Sequence, residues 1–159
     1  MENIKIDKKT LEEINEHAVK EYPKECCGWV LQQKDTSLKY FAAENLQDKY
    51  HKLDPETYPR TSKDAFLMDT LKLSRATEAI ESSGGSLFSI VHSHIDCDAY
   101  FSAEDELQMS TPDNNGPVFS AKCYIVVSIQ NHKAAGNAVF IYDKKEKKYQ
   151  KGNLVVSDA

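Results

Sequence analysis

The stretch Leu87-Phe88-Ser89-Ile90-Val91-His92-Ser93-His94-Ile95-Asp96-Cys97-Asp98-Ala99-Tyr100-Phe101-Ser102-Ala103-Glu104-Asp105 begins as an apolar run and ends among residues that bind metals. Leu87 to Val91 reads as a short buried strand that delivers His92-Ser93-His94 at its end. Side chains two apart on a strand project from the same face, so both imidazoles can reach one point. A helix is expected from Ser102, which puts Asp105 in its first turn, able to swing back over the strand end. Two imidazoles and a carboxylate suit zinc. Three protein ligands leave a fourth tetrahedral position open, which is the arrangement of a catalytic ion and not of a structural one.

Each part also has a plainer explanation. Histidines on strands are often core or surface residues, and Ser102 with Asp105 has the spacing of a capping box, with Asp where Glu or Gln is usual. Ser102 can be both a cap and a functional hydroxyl, whereas Asp105 is not expected to serve fully both as cap partner and as metal ligand. Cys97 is either a small loop residue or a fourth, inhibitory ligand. A cysteine nucleophile paired with His92 is conceivable, but it leaves Glu25 and Asp105 without roles. His17, on a helix, and His132, in a turn, are given none.

Working outward, a short Ile4-Lys5-Ile6 strand precedes Leu11, Ile14, Ala18 and Tyr22 at helical spacing, and Pro23 closes that helix. Gly28 to Leu31 and Leu38 to Ala43 read as a hairpin. Residues 44 to 62, with Pro55, Pro59 and the rings of Tyr50, His51 and Tyr58, read as a long loop. Its Asn45 to Thr61 part is expected to wall a substrate groove. A second helix is expected from Ser62 to Glu81, ended by Ser82-Ser83-Gly84-Gly85. Strands follow the histidine segment at 123–129, 137–142 and 148–156. The order predicts one α+β domain over residues 1–159, a mixed central sheet flanked by helices.

The 20 basic and 25 acidic residues leave a net charge of −5, which disfavours nucleic acid as a partner because that binding depends on neutralising phosphates. The mixed run Asp143-Lys144-Lys145-Glu146-Lys147-Lys148 reads as a solvated turn. No apolar run approaches a membrane span and the N-terminus lacks a signal-peptide core, so a cytoplasmic protein is expected. The 4 cysteines show no C-x-x-C spacing and are expected to be reduced thiols.

A second, distant element decides between the readings. Glu21-Tyr22-Pro23-Lys24-Glu25-Cys26-Cys27-Gly28, taken with H-x-H-x(7)-S-x(2)-D, resembles the JAMM (MPN-plus) metallopeptidase family, from about Ile4 to Asp143. The resemblance implies the cytidine-deaminase-like JAMM/MPN fold and one zinc per chain on His92, His94 and Asp105. It also implies Glu25 as the residue that activates water and Ser102 as an oxyanion donor. Ile95 departs from the pattern, which usually has proline there; the change restores a backbone N–H and removes no ligand. The Glu-Cys-Cys-Gly start is most similar to prokaryotic members. These act beside ubiquitin-like or sulfur-carrier proteins ending in Gly-Gly, the partner class expected here, or form the N-terminal part of phage tail peptidases. No Cys-His peptidase domain follows in this chain, which favours the former. Relatives that lack the ligands serve as scaffolds, and the intact ligand set argues against that role.

Overall fold

Short apolar runs separated by turn residues become a six-stranded sheet in the computed structural model, which describes residues 1–113 and 116–158. The elements in chain order are β1 (Asn3–Asp7), α1 (Lys8–Glu21), β2 (Cys27–Gln32), β3 (Leu38–Ala43), α2 (Gln47–Leu53), α3 (Thr70–Ser82), β4 (Ser86–Ile95), α4 (Ala103–Met109), β5 (Cys123–Gln130), β6 (Lys133–Asp143), β7 (Lys148–Lys151) and β8 (Asn153–Ser157). The main sheet has the order β3-β2-β4-β5-β6-β7. Among the described residues its only parallel pair is β4 with β5. The chain between these two strands contains α4, which starts the return at the end of β4. β1 and β8 form a separate parallel pair.

Two clusters make the core, one on each face of the sheet. Ile14 and Ala18 of α1 pack with Ile4, Ile6, Val30, Phe88, Val91 and Ile125. On the other face Leu73 of α3 and Met109 of α4 pack with Trp29, Leu31, Phe66, Ile90 and Tyr124. The adjacent cysteines divide between them, Cys27 toward the α3/α4 face and Cys26 toward α1, as alternation on a strand requires. All four cysteines are free. Among the described residues no helix is long and apolar enough to cross a membrane.

α1 begins where Asp7 accepts the Thr10 N–H at 2.9 Å, an N-cap interaction that removes one of the helix's unpaired donors. α3 ends before Gly84, whose φ of +89° takes the chain out of the helix.

Four expectations need correction. The stretch 44–62 is not all loop, because Gln47–Leu53 is helical. The second helix starts at Thr70 and not at Ser62: Asp69 caps it by accepting the Lys72 N–H. Phe66, assigned to that helix by its spacing, sits in irregular chain with 1% of its surface exposed. The run 148–156 is two strands in two different sheets, divided at Gly152. β4 is also longer than expected and carries both histidines within its C-terminal half. A register shift opposite Val30 and Leu31 adds one residue to β4 at this point. That bulge resets the alternation, so Leu87 and Ile90, three apart, both face the α3/α4 side.

Candidate metal centre

His92 and His94 emerge on the α3/α4 side near the C-terminal end of β4, and Asp105 meets them from the first turn of α4. The Nε2 atoms of the two histidines are 3.2 Å apart, and Oδ2 of Asp105 is 3.1 Å from one and 3.2 Å from the other. Ligand atoms at zinc's usual bond lengths around a tetrahedron lie about 3.3–3.5 Å apart, so the triangle matches one cation to within a few tenths of an ångström. All three residues are buried. A buried face of three converging electron-pair donors is costly unless something positive sits against it.

The surrounding bonds set the ligand atoms' protonation. Nδ1 of His94 lies 3.2 Å from the Asp98 carbonyl. A carbonyl only accepts, so the ring proton sits on Nδ1 and Nε2 keeps its lone pair. The 96–98 turn is itself fixed by the Ser128 hydroxyl, which donates to the Cys97 carbonyl at 2.6 Å, and by the Asp96 N–H, which donates to Ile129 at 2.7 Å. Phe66 stacks on His92, with centroids 4.5 Å apart and planes at 19°. Tyr100 sits edge-on to His94 at 4.8 Å and is about half exposed.

Asp105 takes part in both arrangements weighed for it, the cap and the candidate metal face. The capping box is complete: Ser102 Oγ accepts the Asp105 N–H at 3.1 Å, and Asp105 Oδ2 accepts the Ser102 N–H at 3.0 Å. The same Oδ2 faces the imidazoles, because a carboxylate oxygen has two lone pairs and the cap uses one. Without a cation, burial opposes ionisation of Asp105, but the charge of His92, its hydrogen bond and the Ser102 backbone N–H outweigh it. They hold the carboxyl far below the usual carboxylate range. The Ser102 hydroxyl accepts from Asp105 and still has its own proton to donate.

Glu25 immediately precedes the β2 ladder, and its side of the strand is set by that ladder. Cys27 pairs with His92, and Cys26 exchanges two bonds with Ser93: the Cys26 N–H donates to Ser93 Oγ at 2.7 Å and the Ser93 N–H donates to the Cys26 carbonyl at 3.1 Å. One step further, Glu25 falls opposite His94 on the histidine face. Its surface is 5% exposed. Burial pushes its carboxyl up to about 9, the Asp105 and Asp64 carboxylates add to the rise, and Arg60 opposes it. A carboxyl that prefers its proton, on the same face as three residues that could hold a metal ion, is the kind of perturbed group found at functional sites.

Sequence reasoning missed four contributors. Ser93 points away from its flanking histidines and fixes the opposite strand; the strict alternation of a strand could have shown this. Phe66 was hidden by its helical spacing, and Asp98 and Ser128 act through turn geometry that leaves no periodic trace. The cysteines do not form a second site: burial pushes the Cys26 thiol up to about 12 and raises those of Cys27 and Cys97, away from the reactive thiolate. A groove of about 390 Å³ adjoins Asp105, lined by Tyr58, Pro59, Arg60, Phe66, Leu107 and Gln108 among others. Of the three rings expected in its wall only Tyr58 lines it. Tyr50 lies tilted against Tyr58, with centroids 5.2 Å apart and planes at 53°, and His51 Nδ1 bonds the Tyr58 carbonyl at 2.7 Å.

Known proteins give this geometry a context. Over 104 residues, 63% of the chain, the sequence is 34% identical to the tail tip assembly protein K of Escherichia phage N15. The chain spans about a third of that relative's length (34%). The fold is similar to the solution structure of a Desulfitobacterium hafniense protein, with a TM-score of 0.68, 20% identity and coverage of 98% of this chain and 93% of that one. A Salinibacter ruber protein superposes with a TM-score of 0.58, 20% identity and coverage of 99% and 92%. Residues 7–142 match the family described as prokaryotic homologs of the JAB domain. The chain belongs to that prokaryotic JAB family.

Proposed function

We propose that the chain is a zinc-dependent peptidase in which His92, His94 and Asp105 hold one zinc, Glu25 carries the proton and Ser102 donates to the oxyanion. The observation that carries this reading is the buried triangle of two Nε2 atoms and Oδ2 at 3.1–3.2 Å. Zinc bound there supplies Lewis acidity toward a carbonyl and makes water a better nucleophile at neutral pH. Glu25, drawn down from about 9 by a nearby dication, takes the proton of the attacking water on its carboxylate and returns it to the leaving amine. A positioned carboxylate of this kind contributes about 10²- to 10⁴-fold. The Ser102 hydroxyl, already oriented as an acceptor by the Asp105 N–H, points its proton at the developing negative charge. Loss of one such donor costs about 10²- to 10³-fold.

The substrate lies extended in the groove between the 57–67 segment and α4. The proposed substrate is a ubiquitin-like or sulfur-carrier protein, cut after a C-terminal Gly-Gly where any side chain would crowd the walls. The test is a fusion of such a protein with a short extension after Gly-Gly, with products read by mass spectrometry. Glu25→Ala should keep zinc and fold and lose nearly all cleavage, whereas His94→Ala and Asp105→Ala should lose zinc. Zinc retained by both ligand variants sinks the ligand assignment. Efficient cleavage after the final Gly is changed to Val sinks the Gly-Gly assignment alone.

One observation favours a second substrate class, the 34% identity to a phage tail tip assembly protein. On that reading the same site cuts a peptide of the tail or of the cell wall. Release of fragments from purified cell-wall peptides, with the Gly-Gly fusion left intact, would select it.

A further inference from the structure

The peptide group of Glu25 lies just before the first ladder residue of β2, Cys27, and the 45–67 segment grips it at both ends. The Glu25 N–H donates to the Ser62 carbonyl at 2.6 Å. Ser62 is in turn fixed by its N–H and Oγ, both donating to the Asp48 carboxylate at 2.8 and 2.7 Å. The Glu25 carbonyl accepts from Asn45 Nδ2 at 2.9 Å. The second Nδ2 hydrogen goes to the Ala65 carbonyl at 3.1 Å, and Oδ1 accepts the N–H groups of Gln47 at 3.0 Å and Leu67 at 3.1 Å. A carboxamide has two donor hydrogens and two acceptor sites, so Asn45 uses its whole capacity on the backbone. Four chain positions, 25, 47, 65 and 67, meet on one side chain.

This arrangement does more than close a loop. Gln47, Ala65 and Leu67, three of the residues tied to Asn45, also line the groove beside Asp105. We propose that Asn45 is a positioning residue that fixes the backbone of Glu25 and links it to the groove wall, so that the wall and the proton-carrying carboxylate move as one unit. The inference rests on the reading of Glu25 as the proton carrier. A misplacement of about 1 Å in such a group can cost 10²-fold in rate.

The test compares the wild type with Asn45→Asp, Asn45→Ala and Glu25→Ala, all zinc-loaded, by amide hydrogen exchange and by kcat and KM on the Gly-Gly fusion. Asn45→Asp keeps the acceptor for Gln47 and Leu67 and loses both donors, so it removes the bonds to the Glu25 and Ala65 carbonyls together. In both Asn45 variants the Glu25 amide should exchange at least about tenfold faster, with the strand amides of Val30 and Val91 unchanged. On a substrate that is cut, kcat should fall by about 10²-fold with KM within about twofold. Unchanged exchange at Glu25 in Asn45→Asp overturns the inference. So does acceleration spread equally over Val30 and Val91, which would make Asn45 a general staple of the fold. Full activity in Glu25→Ala would instead sink the reading of Glu25, while the exchange result still decides whether Asn45 holds that backbone.

Discussion

A single carboxylate oxygen, Oδ2 of Asp105, both closes the cap of α4 and completes the candidate metal face, and this economy depends on lone-pair geometry. Glu25 is the opposite case, a carboxyl that burial keeps protonated. Its value of about 9 stands well above the ordinary carboxylate range of an unfolded chain, near 4.3. In metal-free protein the folded state therefore holds a proton that the unfolded state gives up. The stabilising contribution is complete below about pH 4.3 and is lost progressively as pH rises toward 9. Glu25→Gln should remove that slope: in chelator-treated protein at pH 8 it should be more stable than the wild type by on the order of a few kcal/mol, with the difference vanishing near pH 4. Equal pH slopes for the two proteins in chemical denaturation would refute this. Ser93→Ala leaves the buried Cys26 N–H without an acceptor and should cost about 1–3 kcal/mol, read from denaturant midpoints.

At the level of elements, the site depends on three pieces held at different strengths. β4 is buried from Leu87 to His94 and bonded on both sides, so the two histidines stand on a rigid support. α4 has only two turns and is oriented by its cap and by Glu106, whose carboxylate accepts the Tyr149 N–H at 2.9 Å. The irregular 62–69 segment is held by hydrogen bonds and by Phe66, which fills the space against His92. Phe66→Ala should cost about 3–5 kcal/mol and weaken zinc binding by about 10- to 100-fold through the freed imidazole. Leu71→Ala, at a residue 59% exposed, should change stability by no more than about 0.5 kcal/mol. Denaturant unfolding with a zinc titration checks both, and equal effects would mean that Phe66 does not support the site.

Across the whole molecule, the last strand closes the fold by leaving the main sheet. β8 pairs with β1, joining residues 153–157 to residues 3–7 and covering the α1 face of the core. The exit is at Gly152, whose N–H donates to the Val139 carbonyl at 2.8 Å. A Cβ there would lie 2.7 Å from Ile141 Cδ1 and 3.1 Å from the Glu2 carbonyl oxygen. Gly152→Val should therefore destabilise the protein by about 1–3 kcal/mol, whereas Gly136→Ala, with open space around its Cβ position, should be tolerated. Thermal melting distinguishes them, and matched melting temperatures would show that the strand exit tolerates a side chain.

The sequence by itself determined the elements with strong period and the residues of the candidate metal centre. Alternation and apolar runs locate β2 to β5, helical spacing locates α1, and the spacing of His92, His94, Ser102 and Asp105 marks the candidate metal centre, because these constraints are local or lie within one strand–turn–helix unit; Glu25 is picked out by the resemblance of its own distant motif. Only the tertiary structure decided where Phe66 goes, that 148–157 serves two sheets, and that Asn45 gathers four distant backbone positions. Spacing cannot report such contacts, since they arise where a polar group or a ring finds its partner after the sheet has formed. The same holds for Glu25: its type is visible in the sequence, but its preference for a proton comes from burial and from the Asp105 and Asp64 carboxylates that the fold brings near it.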